Sequence, residues 1–311
     1  MAALDKIVEA MARYTVVLEP DRNLPEWWAG APSVVRAPDG TFYLAARMRH
    51  DESPKGRRGY EIRILESADG KSFRPIHHIT REAAGIPGFE RPALVIDPAT
   101  GRFKLYACAG LERGWTILKF DDARHPAEFK PESVRPMLAP EYPDDDCIHV
   151  TGYKDPVVFH DGSGWHMFVI GIDRVERIHH FRSDDGAAWT PGQPVPIIEN
   201  AGWHHCYTRP ACVLPMPVGY LFVYEGSSLD WADPNYNIAT GLAYTPDLVT
   251  YIDLTPRAPL FKSTTPGPFH TWRYSHWMYA GDQVFVYFEA ARPNGSNEIR
   301  MAAFPTGCLT A

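Results

Sequence analysis

Apolar residues recur in two rhythms along this chain. At its start, Leu4, Ile7, Val8 and Met11 stand at helical spacing, which predicts a short amphipathic helix within residues 1–14. Beyond it the helical rhythm disappears. Short apolar runs alternate with clusters of Gly, Pro, Asp and Asn, the pattern of strands joined by tight turns. The 24 Gly and 29 Pro in 311 residues fit many turns.

A repeat organises these strands. Its unit is an apolar strand, a polar turn, and a second strand ending in small or polar residues. GAPSVVRAPDGTFYLAARMR at 30–49, ERPALVIDPATGRFKLYACAG at 90–110 and KDPVVFHDGSGWHMFVIGID at 154–173 are three copies. TRPACVLPMPVGYLFVYEG at 208–226 is a fourth. YSHWMYAGDQVFVYFEA at 274–290 is a fifth, with Trp277 where the others have proline. Pro32, Pro92, Pro156 and Pro210 are 60, 64 and 54 residues apart. Four units continue into a third strand, a turn and the start of a fourth: EIRILESADGKSF (61–73), TILKFDDARHPAEF (116–129), RIHHFRSDDGAAW (177–189) and NIATGLAYTPDLVTY (237–251). The Asp-Gly pairs suit turn positions with positive φ. Four strands per unit and five units predict an all-β, five-bladed β-propeller with a short N-terminal helix. Residues 15–311 form its single domain, and Tyr14–Leu18 supplies the outer strand that closes the ring. Five matches separate this architecture from an irregular β-sandwich.

Composition narrows the function classes. At 45% hydrophobic and 22% charged, the chain is ordinary globular protein. A net charge of −7 supplies no basic footprint for nucleic acid. No apolar run is long enough for a membrane span or of signal-peptide type, so a soluble cytoplasmic protein with no membrane partner is expected. The five cysteines are scattered and form no CxxC pair, which argues against a zinc ribbon or a disulfide framework. Oligomeric state is left open.

Propeller geometry selects a site from residues far apart in sequence. Starts of first strands and ends of second strands gather around one mouth of the axis. They contribute Arg47, Arg49, Glu90, Arg91, Lys154, Asp155, Arg209, Glu225, Glu289 and His276, with Trp28, Tyr207 and Tyr274 nearby. Charged side chains beside apolar strands are costly unless paired or used. Carboxylates facing one another can separate into an acid and a base. Arginine forks suit a substrate carboxylate or phosphate, and aromatic faces suit sugar rings. Arg91 and Arg209 have a competing reading as struts that pair Glu90 and Glu225. Of the histidine pairs 77–78, 179–180 and 204–205, the last stands nearest the mouth. Adjacent strand residues face opposite ways, so none makes a site by itself. The run Asp144–Asp146 reads as a solvated loop, and no metal ligand set is assigned.

These anchors resemble five-bladed propeller enzymes acting on glycosides. KDPVVFHDGSGWHMFVIG is similar to the blade opening of glycoside hydrolase family 43 and to the RDP element of the invertase-like families, among them family 32. VGYLFVYEG and YLAARMR resemble blades of the β-mannoside phosphorylases, family 130. The resemblance spans about residues 24–305 and implies a glycosidase that needs no cofactor. A carbohydrate is its implied partner, as an oligosaccharide or an anionic sugar. Asp155, Glu225 and Glu289 would be catalytic, while Arg47, Glu90, Arg91, Lys154, Arg209, Tyr207, Tyr274, His276 and Trp28 would bind substrate. A structural divalent cation, calcium, near His276 is a further implication. The chain departs from family 43 at Ala31 and Arg91, where that family carries Asp, and from the phosphorylases at Glu225, where they carry a phosphate-binding His. The charge at Glu225 favours hydrolysis or elimination over phosphorolysis. Alternatives are a lyase acting on a uronate, with His276 or Tyr274 moving the proton, and a carbohydrate-binding propeller without catalysis.

Overall fold

The computed structural model describes residues 2–53, 58–112, 114–140, 150–193, 197–263, 265 and 269–309; the Asp144–Asp146 run lies outside them. The protein is all-β apart from short helical segments. Its strands form five consecutive antiparallel groups. The first strands are Trp28–Arg36, Glu90–Ile96, Tyr153–His160, Tyr207–Pro215 and Trp272–Ala280. The second strands are Phe42–Arg49, Phe103–Leu111, Trp165–Asp173, Tyr220–Ser227 and Gln283–Ala291. Third strands follow at Gly59–Ser67, Gly114–Lys119, Val175–Ser183, Ala239–Thr245 and Asn297–Pro305. The outer strands of the first four groups are Arg74–Thr80, Arg135–Leu138, Thr190–Pro191 and Ile252–Asp253. The fifth group takes its outer strand from the other end of the chain: Thr15–Leu18 pairs with Asn297–Pro305.

The first strands pack one against the next in chain order, and the fifth packs against the first. They therefore surround a common axis. Single parallel pairings, Trp28 with Asn297 and Glu176 with Tyr207, bridge neighbouring groups.

Period-two alternation explains how the groups hold together. Along one second strand, Phe42, Leu44 and Ala46 face the fifth group, while Tyr43 and Ala45 face the second. Both faces of a group are thus apolar. Five buried clusters result, each between two consecutive groups. The N-terminal helix, Ala2–Met11, adds Ile7 and Met11 to the cluster between the fourth and fifth groups. It ends before the predicted boundary, and Val8 lies outside the contact at 40% exposure.

The Asp-Gly turns lock neighbours together. Gly70 has φ 71°, and its carbonyl accepts a 2.6 Å hydrogen bond from the hydroxyl of Tyr287 in the fifth group. Gly186 repeats this with Tyr106 of the second group, also at 2.6 Å. A Cβ on Gly70 would lie 2.9 Å from that hydroxyl, in a conformation L-residues avoid. No helix among the described residues is long and apolar enough to cross a membrane.

Candidate active site

Every first strand carries a register irregularity near its start. In four of them two residues oppose one on the second strand: Ala31-Pro32, Arg91-Pro92, Asp155-Pro156 and Tyr274-Ser275. In the other, Ala211 is the extra residue. Bulges re-aim side chains, and proline suits them because it has no N–H to lose from the ladder. Ala31, Asp155 and Tyr274 adopt left-handed φ of 52°, 57° and 54°. Such backbone costs a non-glycine residue about 1–2 kcal/mol and persists where surrounding contacts impose it. The bulge also aligns the fifth repeat by structure. Tyr274, two residues before His276, is the counterpart of Ala31, Arg91 and Asp155.

Two of the bulges, at Asp155 and Tyr274, open on a cavity of about 510 Å³ at the end of the axis where the first strands begin. Asp155 and Tyr274 line it from different groups, and the Tyr274 hydroxyl donates to Asp155 Oδ2 at 3.1 Å. Cys108 holds the other side of the carboxylate. Its Sγ lies 3.6 Å from Asp155 Oδ1 and accepts from the Asp155 N–H at 3.1 Å. Burial pushes the Cys108 thiol well above its ordinary value, so it keeps its proton as a donor. Burial, then the Asp155 charge, likewise raises Tyr274.

A second wall pairs Glu176 with two cations. Lys154 Nζ stands 2.6 Å from Glu176 Oε1, and Arg209 pairs with Oε2. Burial alone would raise the Glu176 carboxyl, but Arg209 and Lys154 outweigh it and bring it down to about 2. Glu90, also in the lining, pairs with the buried Arg47. Burial opposes its charge too, and Arg47, Arg49 and Lys154 lower it on balance. Trp115 contributes a half-buried aromatic wall with Lys154 Nζ 5.7 Å from its ring centre.

Glu289 lies behind the cavity and is saturated with donors. It accepts from Ala31 N at 3.0 Å, Arg47 at 3.1 Å, Arg273 at 2.9 and 3.2 Å, and Asn297 at 2.6 Å. Gly30 permits this approach, because a Cβ there would meet Glu289 Oε2 at 1.8 Å. Glu225 is fully buried and does not line the cavity. It accepts from Ser275 N at 3.3 Å, and its Oε2 has no partner. Burial raises it to about 7, against the pull of Arg91, Arg209 and Arg273.

The structure thus brings Glu90, Lys154, Asp155, Arg209 and Tyr274 into one cavity, with Arg47 and Glu289 directly behind. Trp28 is fully buried beneath Arg49, whose guanidinium lies 3.9 Å from its ring centre. Tyr207 packs under Arg209 at 4.9 Å and donates to Asn235 at 2.8 Å. Arg91 and His276 line a different cavity, of about 400 Å³, further along the axis. Arg91 donates to the carbonyls of Pro210 and Ala211, so it braces a neighbouring strand and does not pair Glu90. Arg209 likewise pairs Glu176, not Glu225. His204 bonds Asp253 at 3.2 Å and His205 bonds the Gly202 carbonyl at 2.9 Å; neither lines the charged cavity. Around His276 stand Arg91, Pro92, Val34 and Trp277, a set with no oxygen cage for a hard cation. Among the described residues no group of three His, Cys, Asp or Glu side chains is placed to hold a metal.

Arg49, at the mouth as the strand-end rule has it, lines the cavity, and residues outside the predicted set also form the site: Trp115, Glu176, Tyr236 and Arg273. Arg273 flanks the predicted Tyr274 on the same strand. Glu176 and Trp115 come from third strands, which the first-and-second-strand rule passes over.

No protein-family model matches the sequence, and no curated protein matches it. Solved structures do. A glycoside hydrolase superposes with a TM-score of 0.73 at 17% identity, over 97% of this chain and 95% of that chain. A glycosyl hydrolase from Bacteroides ovatus gives 0.71 at 14% identity, over 95% and 94%. A β-1,2-mannobiose phosphorylase from Listeria innocua, in complex with β-1,2-mannobiose, gives 0.66 at 13% identity, over 94% and 96%. At these identities the likeness carries the fold alone: this chain has the all-β propeller fold of the glycoside hydrolase structures it resembles.

Proposed function

We propose that the five strand groups are the blades of one propeller domain, residues 15–311, and that the chain is a glycoside-processing enzyme working in the charged axial cavity. The observation that carries this reading is the meeting of Asp155 and Tyr274. Two bulges from different groups, both in left-handed backbone, aim a carboxylate and a phenol at one point. Strained residues that converge in a cavity are a signature of function.

In hydrolysis, Asp155 faces the anomeric carbon and stabilises the positive charge that grows there. The glycosidic C–O bond breaks, its oxygen takes the Tyr274 proton, and water adds to the anomeric carbon while its own proton passes to the Tyr274 oxygen and restores the phenol. Glu176 and Glu90, tied to cations, stay ionised and do not serve as the acid. Tyr274 keeps its proton and stands at Asp155, so it is the donor in this scheme. Trp115 offers its face to the sugar ring. Glu289 serves as the buried anchor of Arg47 and Arg273.

Asp155→Asn is the test, against a panel of aryl glycosides and plant or microbial oligosaccharides. The expected loss is at least about a hundredfold in kcat. Full activity in that variant overturns the assignment.

Elimination from a uronate is the second reading, favoured by one observation. Guanidiniums of Arg273, Arg91 and Arg47 lie 4.9, 5.4 and 5.5 Å from the Tyr274 ring centre, cations that suit a uronate carboxylate, while burial and the Asp155 charge leave the phenol protonated as the group that gives the proton. Unsaturated products absorbing in the ultraviolet distinguish this route from hydrolysis.

A further inference from the structure

The axial cavity holds more positive charge than its own carboxylates neutralise. Five cations line it or stand directly behind it: Arg47, Arg49, Lys154, Arg209 and Arg273. Four carboxylates pair with them or share the cavity: Glu90, Asp155, Glu176 and Glu289. Five less four leaves one positive charge.

That excess has an address. Arg273 gives its Nε and Nη2 to Glu289, while Arg47 is bound by Glu90 and Glu289. Lys154 and Arg209 share Glu176. Arg49 has no carboxylate of its own. Glu26 is 3.7 Å away and stands closer, at 3.1 Å, to Arg58. The Arg49 Nε is buried without a hydrogen-bond partner, and its Nη2 donates to the hydroxyl of Tyr236, at 3.2 Å. Arg49 and Arg273 both pack on Trp28, at 3.9 and 5.0 Å from its ring centre, and both line the cavity. Of these two neighbouring buried guanidiniums only Arg273 holds a carboxylate at hydrogen-bond distance, and leaving the other so is costly unless an anion completes the set.

We infer that the cavity takes a saccharide bearing a carboxylate, a uronic acid residue, whose acid group is held by Arg49 with Arg273 beside it; this rests on the glycoside reading above. A planar carboxylate matches a guanidinium edge through parallel N–H···O bonds. A monoanion also fits the size of the excess. A phosphate dianion would face Glu90, Asp155 and Glu176 with twice the charge.

The test is calorimetric binding, at low salt, of glucuronate- and galacturonate-containing oligosaccharides against neutral oligosaccharides of matched configuration. Inorganic phosphate forms a separate arm. The wild type is expected to bind an acidic sugar at least about tenfold more tightly than its neutral match, and added salt narrows the gap. Arg49→Gln is expected to abolish the preference, and Arg49→Lys to restore part of it. If Arg49→Gln does not fold, the wild-type preference and its salt dependence decide the question alone. Equal binding of acidic and neutral sugars overturns the inference and leaves the glycoside reading standing. Binding of phosphate with no uronate preference overturns the carboxylate assignment. Failure of every saccharide, acidic and neutral, overturns both.

Discussion

The two ends of the axis are built by the same five strands and are chemically opposite. Before the bulges the first strands present Glu90, Lys154, Asp155, Arg209 and Arg273 to a charged cavity. After the bulges they present Val34, Leu94, Val157, Val213 and Trp277 to an apolar one, with Arg91 and His276 its main polar members. A bulge separates the two regimes because an extra residue breaks the strict alternation of a strand. Side chains that would otherwise point between groups are turned to the axis. The charged end is sustained by ion pairs and the other end by packing, so the two should fail differently.

The largest effect is expected where the ion pairs are most interdependent. Glu289→Gln removes the shared partner of two buried arginines while keeping the size of the side chain. Breaking a buried pair by removing one member typically costs about 3–5 kcal/mol. Chemical denaturation should show a loss of that order. A loss under about 1 kcal/mol would mean that water reaches Arg47 and Arg273, and the contrast between the ends would collapse.

Next in size is a pair of opposed pH dependences. Glu225 rises from an ordinary 4.5 to about 7 on folding. Below pH 4.5 both folded and unfolded forms hold the proton. Between 4.5 and 7 only the folded form holds it, so stability falls as pH rises, by about 3 kcal/mol in all. His276 drops from 6.5 to about 4, chiefly through burial and then through Arg91. Its contribution is present above pH 6.5 and is lost as pH falls through 4, so stability rises with pH across that window. It is partly exposed, which discounts its slope to about 2 kcal/mol. Subtracting the stability curve of Glu225→Gln from that of the wild type should give a falling line between pH 4.5 and 7. Subtracting that of His276→Gln should give a rising line between 4 and 6.5. Two slopes of one sign would show that these groups do not stand in the environments described.

How much of this was legible in the sequence depends on what marks each feature. Proline made the bulge visible at Pro32, Pro92 and Pro156. In the fifth repeat the same position is Ser275, so aligning on Trp277 put His276 where Tyr274 belongs. The strand groups were legible because turn residues and apolar runs are local signals. Roles of the carboxylates were not. Glu225, Glu289 and Glu176 look alike in sequence, and their differences come from partners far along the chain. Glu289 meets Arg47 and the Ala31 N–H, Glu176 meets Lys154 and Arg209, and Glu225 meets only Ser275 N. Such partnerships depend on closure of the ring, which no single segment encodes.

The smallest expected effect probes the boundary between the two ends. Arg91 belongs to both, since its charge lowers Glu225 on one side and His276 on the other. Arg91→Met removes that charge and keeps an apolar side chain of similar reach. Both groups should then titrate at higher pH, each by less than about one unit. Glu225 moves further from its ordinary value, and its falling slope lengthens. His276 moves back toward its own, and its rising slope shortens. Carbon-13 chemical shifts of the two side chains across pH provide the measurement. The direction is diagnostic, because a second cause would act differently. If losing Arg91 admitted water to the axis, relief of burial would lower Glu225 while raising His276. Parallel shifts therefore mean that one guanidinium couples the charged end to the apolar end by its field. Opposed shifts mean that Arg91 matters as a brace on the Pro210 and Ala211 carbonyls, keeping the two cavities dry and apart.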